Sequence, residues 1–522
     1  MSAARAKPAA PPTALPVALP AALGATPLAA GLPRQTGHPS YHRPALALAL
    51  ACAALLATGC ASVDFPRTIE QTNELAGDFT GGKLSLALTD EQRAALAREA
   101  DALLRQPLGR DQAVQLALVN SPALQALLAG RWAESATAAQ SGRLPNPVFA
   151  FERLRTGDEL ELSRLLSFGL LDLLTLPQRH GIAQRRIEES RLRLAADVID
   201  QVTRVRQAWI DAVSAEQTLA YARQIHDNAE ASAELARRMQ AVGNFNRLDR
   251  ARHQAFYADA ATRLAGVQQA ATNRREALVR LLGLSDAQAA LLRLPPRLPD
   301  PPATPLDAAE AARADSAGRL DIRIAQSALD ATARAQGLGS VTSVIDIELG
   351  VRRETLFDDA AGTRHSGRGT EIELRLPLFD WGDARRAALN AQTLAAAQRL
   401  QATVRAAGSH LRDGYTAYRT AHDLVKHYRD EVLPLRRTIA DENLLRYNAM
   451  LIGVFELLAD SREQITSVMA AIAAERQFWL ADAALQATLI GRPVIAAGST
   501  LTAGAATGPD ATPGSGATAA AH

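Results

Sequence analysis

Alternation of apolar and polar positions marks two pairs of strands. Ile345, Ile347, Leu349 and Val351 alternate with Asp346, Glu348, Gly350 and Arg352; after a polar turn at 358–370, Ile372, Leu374, Leu376 and Leu378 alternate with Glu371, Glu373 and Arg375. A period of two gives each strand one oily and one charged face. A weaker copy lies earlier, in Phe149 and Phe151, then Leu160 and Leu162 against Glu159, Glu161 and Ser163, followed by an apolar run at 165–176 without clean alternation. The strands are expected at about 146–176 and 341–379. A surface hairpin on a soluble core gives the same pattern. Four strands cannot close a barrel, which needs about eight, but several chains could each contribute four.

A second period governs most of the rest. Helical stretches are expected at 182–241, 247–282, 384–448 with an interruption at Pro434, and 455–489. At 1.5 Å per residue the first reaches roughly 90 Å, beyond any ordinary domain diameter. Its apolar positions (Ile199, Val202, Val205, Ala208, Trp209, Ala212, Ala215) recur every three or four residues between Arg, Gln and Asp. That spacing suits coiled coils packed through small residues, as a bundle or tube.

The two patterns belong to a unit that occurs twice. Pro107-Leu108, Ala113 and Ser121-Pro122 correspond to Pro305-Leu306, Ala311 and Arg319-Leu320 at an offset of 198. Leu176-Pro177 with Arg185-Arg186 corresponds to Leu376-Pro377 with Arg385-Arg386 at 200, and Leu248-Asp249 to Phe455-Glu456 at 207. Each unit opens with an amphipathic helix, roughly 110–142 and 306–336, then runs through a hairpin into long helices. The stretch LPPRLPDPPATP, with six prolines, cannot continue a helix and separates the halves. The division is therefore 107–293 and 305–491 for the two units, 294–304 for the linker, 60–106 for an N-terminal segment and 492–522 for a disordered tail.

The N-terminus reads as an export signal. The apolar run at 44–59 follows His42 and Arg43 and is shorter than the ~20 residues a spanning helix needs. It ends in Leu56-Ala57-Thr58-Gly59-Cys60, which resembles a bacterial lipobox with Ala57 where Leu is usual. Residues 1–59 are then a removed leader and Cys60 the lipidated first residue; ordinary cleavage with Cys60 a free thiol is the other reading. Cys52 and Cys60 are the only cysteines, so the remaining chain has no disulfide or thiolate metal site.

Composition removes further classes. Lys+Arg 57 against Asp+Glu 55 gives a net charge of +2, and only Lys7, Lys83 and Lys426 are lysines, which leaves no basic tract for nucleic acid. Aromatics at 4% speak against a large all-β core. His422 and His427 are five apart, off a common helical face, while His180, His226, His253, His365 and His410 are scattered; with four methionines, no metal site is expected. No catalytic triad order, phosphate loop or paired-carboxylate signature stands between a strand and a helix, so neither an enzyme nor a cofactor is expected.

Taken together, LGRDQAVQLALVNSPAL at 108–124, LPLFDWGDARR at 376–386 and the helix-turn segments AVGNFNRLDRAR at 241–252 and YNAMLIGVFELLADSRE at 447–463 resemble the TolC-like family of bacterial outer-membrane efflux channels, in particular its lipoprotein members. The resemblance covers about 108–489. It implies a mainly α fold with a small transmembrane β part, in which a duplicated helix-hairpin-long-helix unit forms one third of a trimeric 12-stranded β-barrel and a periplasmic α-helical tunnel. The implied partners are two further copies, outer-membrane lipid, a periplasmic adaptor (membrane fusion) protein and an inner-membrane pump of RND type. The alternative is a non-channel periplasmic or envelope coiled-coil structural lipoprotein.

By the same resemblance, Val242, Gly243 and Asn244, with Met450 and Leu451, are adaptor-contacting tips, Met450 standing where glycine is expected. Asp249, Glu456 and Asp460 are candidates for an acidic periplasmic gate. Asn246 with Asp249 and Gly453 with Glu456 are each three apart at a helix start. Both acids could therefore serve instead as helix caps and dipole partners.

Overall fold

The computed structural model describes residues 64–308, 318–342, 346–375 and 378–494. The leader, Cys60, Ala311, Ile345, the Leu376-Pro377 pair and residues 495–522 lie outside the described residues.

Local signals set the N-terminal elements. Helix α1, Phe65–Thr80, starts where the Asp64 side chain accepts from Arg67 N–H at 3.2 Å, with Pro66 in the first turn, and stops at Gly81 with φ 61°. Helix α2, Asp90–Leu103, opens on a Thr89/Gln92 capping box. The helix expected over 110–142 is broken into α3, Arg110–Asn120, and α4, Pro122–Ser141, which meet at 57°. Pro122 is the physical cause, because it disfavours helical geometry at Ser121, whose ψ is 113°. No single described helix is long and apolar enough to cross a membrane.

Strands β1, Val148–Thr156, and β2, Glu159–Gly169, form the first hairpin. The apolar run without alternation then proves to be half strand and half helix. Helix α5, Leu170–Ala241, spans 72 residues and takes Pro177 inside its second turn. It begins a dozen residues before the expected start at 182. Helix α6, Arg247–Leu282, and the short α7, Asp286–Leu291, complete the first unit.

The second unit repeats the order with α8, Leu320–Thr342, strands β3, Asp346–Asp358, and β4, Thr363–Arg375, then α9, Asp383–His427, a π-turn at Tyr428–Val432, α10, Leu433–Asn448, and α11, Val454–Leu489. The interruption expected at Pro434 is that π-turn, whose wider winding leads into a proline that has no N–H to donate. Both strands run further than the alternation indicated, and the turn shrinks from 358–370 to the four residues between β3 and β4. Residues 352–358 and 363–370 are polar on most positions of both faces, so their periodic signal is lost although the ladder continues.

The four strands form one antiparallel sheet in the order β1-β2-β3-β4, in which β2 of the first unit pairs with β3 of the second. Both edges, β1 and β4, lack a partner strand among the described residues.

The main core lies where the mid-portion of α5 is surrounded. Leu194, Val198, Ile199, Val202, Val205, Trp209 and Ala212 pack against residues of α1, α3, α4 and α6. Trp209 Nε1 donates to Leu108 O at 2.8 Å, tying the start of the first unit to its long helix. Arg206 is buried there, stacked 4.4 Å over the Phe79 ring and donating to Phe79 O at 2.6 Å and Gln486 Oε1 at 3.2 Å. A second cluster joins Tyr418, Ala421 and Val425 of α9 to Ala474, Phe478 and Leu485 of α11. Towards the α5–α6 turn the core shrinks to Ile225, Ala229 and Ala260. Tyr221, Phe256, Tyr257 and Ile465 pack around this small cluster only partly buried, so little apolar area is buried there.

The proline-rich stretch contains no helix and is pinned in place. Pro299 O accepts from Trp479 Nε1 at 2.9 Å, Pro302 O accepts from His422 Nε2 at 3.0 Å, and Leu298 is fully buried. At the other end of the second unit Arg492 pairs with Asp200 of α5 and Val494 still touches the main core.

Candidate functional site

Register decides what each face of the sheet presents. Paired residues share a face, so Phe149, Leu166, Val351 and Thr370 form one cross-strand row, with Phe168, Leu349 and Ile372 below it. Phe149, Phe151, Leu166, Val351, Ile372 and Leu374 all lie on this face and all are exposed. Leu378, Phe379 and Trp381 extend exposed apolar surface beyond the end of β4.

The opposite face carries Glu152, Glu159, Glu161, Glu348, Glu354, Asp358, Glu371 and Glu373, with Arg352, Arg375 and His365 as the basic groups among them. Arg352 is neutralised there, 3.3 Å from Glu354 and 3.0 Å from Glu371. The residues that alternation assigned to a charged face (Glu159, Glu161, Glu348, Glu371, Glu373, Arg375) therefore do fall together. An oily face and an acidic face of one sheet suit a wall between lipid and water.

At the far ends of the long helices, two turns share one geometry. After α5, Val242 N donates to Arg238 O, Gly243 N to Gln240 O and Asn244 N to Met239 O. After α10, Ala449 N donates to Leu445 O, Met450 N to Tyr447 O and Leu451 N to Arg446 O. Each bond has its counterpart 207 residues later. This 6→1 closure needs a left-handed residue at its centre, and Gly243 (φ 82°) and Met450 (φ 60°) supply it. Met450 is the single non-glycine residue with positive φ among the described residues. Val242, Met450 and Leu451 stand in solvent at 70%, 93% and 74% exposure.

The gate candidates follow these turns but differ in setting. Asn246, not Asp249, caps α6, its side chain accepting from Asp249 N–H at 2.8 Å. The Asp249 carboxylate is half-buried and faces His253. Gly453 gives α11 no side-chain cap, and Glu456 is exposed, its side chain making no hydrogen bond or ion pair among the described residues. Neither acid makes a capping hydrogen bond; only the dipole contribution of that reading remains. Asp460, four residues on, is buried, so it does not form a second exposed layer beside Glu456.

Sequence reasoning missed a cavity of about 460 Å³ beside the turns, lined by Tyr221, Ile225, Phe245, Phe256, Tyr447 and Leu457. His253 borders it, sharing a 2.7 Å hydrogen bond between Nδ1 and Ser232 Oγ, while its buried Nε2 has no partner. Phe245 stacks on the imidazole at 5.9 Å. Burial pushes the His253 pKa down, partly opposed by the Asp249 carboxylate. The signal was the pair Ser232 and His253, 21 residues apart across the turn, which becomes legible once the turn position is fixed.

Among the described residues one group, His226, Asp227 and Glu230, brings possible metal donors within 4.8 Å of one another. They occupy a single turn of α5, with both acids exposed and the imidazole against Tyr257 at 5.4 Å. Neighbouring positions on one helix, mostly exposed, give this proximity without any built site.

No family model and no curated protein matches the sequence. The fold does match solved structures. The chain is similar to a membrane protein from Pseudomonas aeruginosa with a TM-score of 0.62 at 22% identity, covering 75% of this chain and 93% of that one. It is similar to the Campylobacter jejuni CmeC outer membrane channel with a TM-score of 0.62 at 13% identity, covering 78% and 89%. It is also similar to the outer-membrane channel OprN with a TM-score of 0.58 at 18% identity, covering 83% and 97%. A duplicated run of helices carrying a four-stranded sheet is thus a known architecture, and the fold of this chain is that of these outer-membrane channels, as its resemblance to the TolC-like family implies.

Proposed function

We propose that the protein is the outer-membrane channel of a tripartite efflux system. The observation that carries this reading is the sheet: four strands among the described residues, both edges open there, one face oily and the other acidic. Open edges are not tolerated in a bilayer, and closure needs about eight strands or more. Three copies bring twelve, and a homotrimer is the smallest closed solution with a water-filled lumen. The acidic face then lines that lumen, and the long helices continue it as a periplasmic tunnel.

In this reading 107–293 and 305–491 are the two efflux repeats, joined by 294–304. The tips at Val242, Gly243, Asn244, Met450 and Leu451 meet a periplasmic adaptor that connects to an inner-membrane pump, for which the RND type is our assignment. Asp249, Glu456 and Asp460 stand near the periplasmic end, where a gate would lie. Cys60 is lipidated and anchors the segment 60–106 to the outer membrane. The work of the protein in this reading is conduction.

The test is assembly and conductance of the full chain purified in detergent. A heat-modifiable trimer with a narrow, mostly closed pore in planar bilayers is expected. A monodisperse monomer that needs no detergent rejects the channel and leaves the coiled-coil structural lipoprotein.

A further inference from the structure

The upper half of the oily sheet face is not oily. Above the row Phe149, Leu166, Val351 and Thr370 comes the row Phe151, Arg164, Arg353 and Arg368, and in the two rows beyond it Arg153, Arg155 and Arg364. Arg164 pairs directly with Arg353, and Arg353 with Arg368. Like charges directly opposite on neighbouring strands destabilise a sheet. No Asp or Glu occurs at any paired position of this face.

The contrast with the other face is direct. There, Arg352 has two carboxylates within reach. Here, Arg155 reaches Asp359 in the turn at 3.0 Å and Arg364 stacks over Phe357 at 5.2 Å. Arg153, Arg164, Arg353 and Arg368 have no ion pair among the described residues; Arg153, Arg353 and Arg368 are exposed and Arg164 half-exposed. All six basic residues of this face are arginine, whose planar fork binds phosphate in two-point fashion.

We propose that Arg164, Arg353 and Arg368, flanked by Arg153 and Arg364, form a belt that binds the phosphates of a multiply phosphorylated glycolipid in the outer leaflet. The proposal rests on the channel reading, which places this face against lipid. Arginine on a lipid-facing strand costs about 2–4 kcal/mol at the bilayer centre but about 0–1 kcal/mol near its surface. The row must therefore mark the upper limit of the hydrocarbon. Each row rises about 5 Å for a strand tilted by ~40°, so the arginines sit directly above the exposed Phe149, Leu166 and Val351. Their stems can lie on this apolar surface while the guanidinium groups reach up to the headgroups. A lipid with several phosphates neutralises adjacent arginines at once. A zwitterionic or singly charged phospholipid cannot.

The experiment uses the full chain in detergent micelles, titrated with bisphosphorylated lipid A, its dephosphorylated form and phosphatidylglycerol, with binding followed by native mass spectrometry. The bisphosphorylated lipid should bind at least about tenfold more tightly than either of the others, as expected for charge-assisted hydrogen bonds. The triple variant Arg164→Gln, Arg353→Gln, Arg368→Gln should lose that preference while remaining a heat-modifiable trimer. If the triple variant fails to assemble, Arg368→Gln alone, which relieves one of the like-charge pairs, should weaken binding several-fold. Equal binding of all three lipids by the wild-type trimer, or unchanged selectivity in the variants, overturns the belt and leaves the channel intact. A soluble wild-type monomer rejects both.

Discussion

Gly243 and Met450 occupy the same left-handed position in two equivalent turns, with φ of 82° and 60°. An L residue pays about 1–2 kcal/mol for that conformation and glycine does not, although glycine costs about 0.5–1 kcal/mol in chain entropy. Met450→Gly should therefore stabilise the second turn by about 0.5–1 kcal/mol, and Met450→Asn somewhat less. Gly243→Ala should destabilise the first by about 1 kcal/mol. Thermal melting, with hydrogen exchange at 445–455, reads both effects. A lower melting temperature for Met450→Gly would mean that its side chain is held by contacts stronger than the strain.

The turns were legible in the sequence because glycine and its neighbours recur at a fixed offset, and the duplicate exposed the methionine as an anomaly. The lower sheet was legible for a similar reason, since Ile347, Leu349, Ile372 and Leu374 alternate with acids. The upper sheet was not. Arg353, Thr355, Arg364, Ser366 and Arg368 share a face that is polar, so no period separates it from its opposite side, and only the register gathers the arginines. The break at Ser121 was written in Pro122, but apolar spacing continues across it and hides the bend. The cap of α6 is Asn246, whose side chain accepts from the backbone N–H of Asp249, a choice fixed by side-chain geometry and not by spacing.

A pair of glycines closes the two units. Gly283 (φ 66°) ends α6 against the start of α4, and Gly491 (φ 93°) follows α11 against the start of α8. A Cβ on Gly283 would lie 2.9 Å from Ser121 Cα, and one on Gly491 2.8 Å from Leu320 N. Backbone cannot retreat as a flexible side chain can. Alanine at either position should cost more than about 2 kcal/mol, from strain and overlap together. The check is chemical denaturation, with Gly266→Ala as a control, because Gly266 has open space around its Cβ. Equal behaviour of all three variants would reject the closure role.

His253 should make the helical tip sensitive to acid. Its folded pKa is pushed below the ordinary 6.5 by burial, with Asp249 pulling the other way. The unfolded chain then binds a proton that the folded chain refuses. The stabilising contribution is complete above the unfolded pKa and declines as pH falls from about 6.5 towards the depressed folded value. Protection factors over 225–260, corrected for the intrinsic pH dependence of amide exchange, should fall between pH 7.5 and pH 5.5. His253→Gln should flatten this dependence, and Asp249→Asn should steepen it by removing the opposing charge. A flat profile in the wild type would show that the imidazole titrates alike in both states.

Lipidation at Cys60 predicts a mature chain that starts at this residue with its mass raised by acyl groups, and intact-mass spectrometry of membrane-extracted protein measures it. Each buried CH₂ adds about 0.8 kcal/mol of anchoring. Cys60→Ala should therefore reduce membrane retention far less than loss of the strands would. An unmodified mature N-terminus, or one upstream of Ala45, rejects the lipid anchor.

Glu456 offers the sharpest test of the gate. It follows an exposed turn, its side chain has no hydrogen bond or ion pair among the described residues, and capping of its helix is left to backbone alone. With no structural bond to lose, Glu456→Gln keeps the size of the side chain and removes its charge. In a threefold assembly each such carboxylate becomes a ring, which favours cations and repels anions. The substitution should lower cation preference or alter conductance of the reconstituted channel while trimer melting stays close to wild type. Asp249→Asn should act more weakly on conductance, because that carboxylate is half-buried and faces His253. Asp460→Asn should act mainly on stability, because its side chain is enclosed. The order Glu456, Asp249, Asp460 in conductance, reversed in melting temperature, is the pattern that separates a charge at the pore from a charge in the packing. Unchanged conductance with a lower melting temperature for Glu456→Gln would reduce its role to the helix dipole and remove it from the gate.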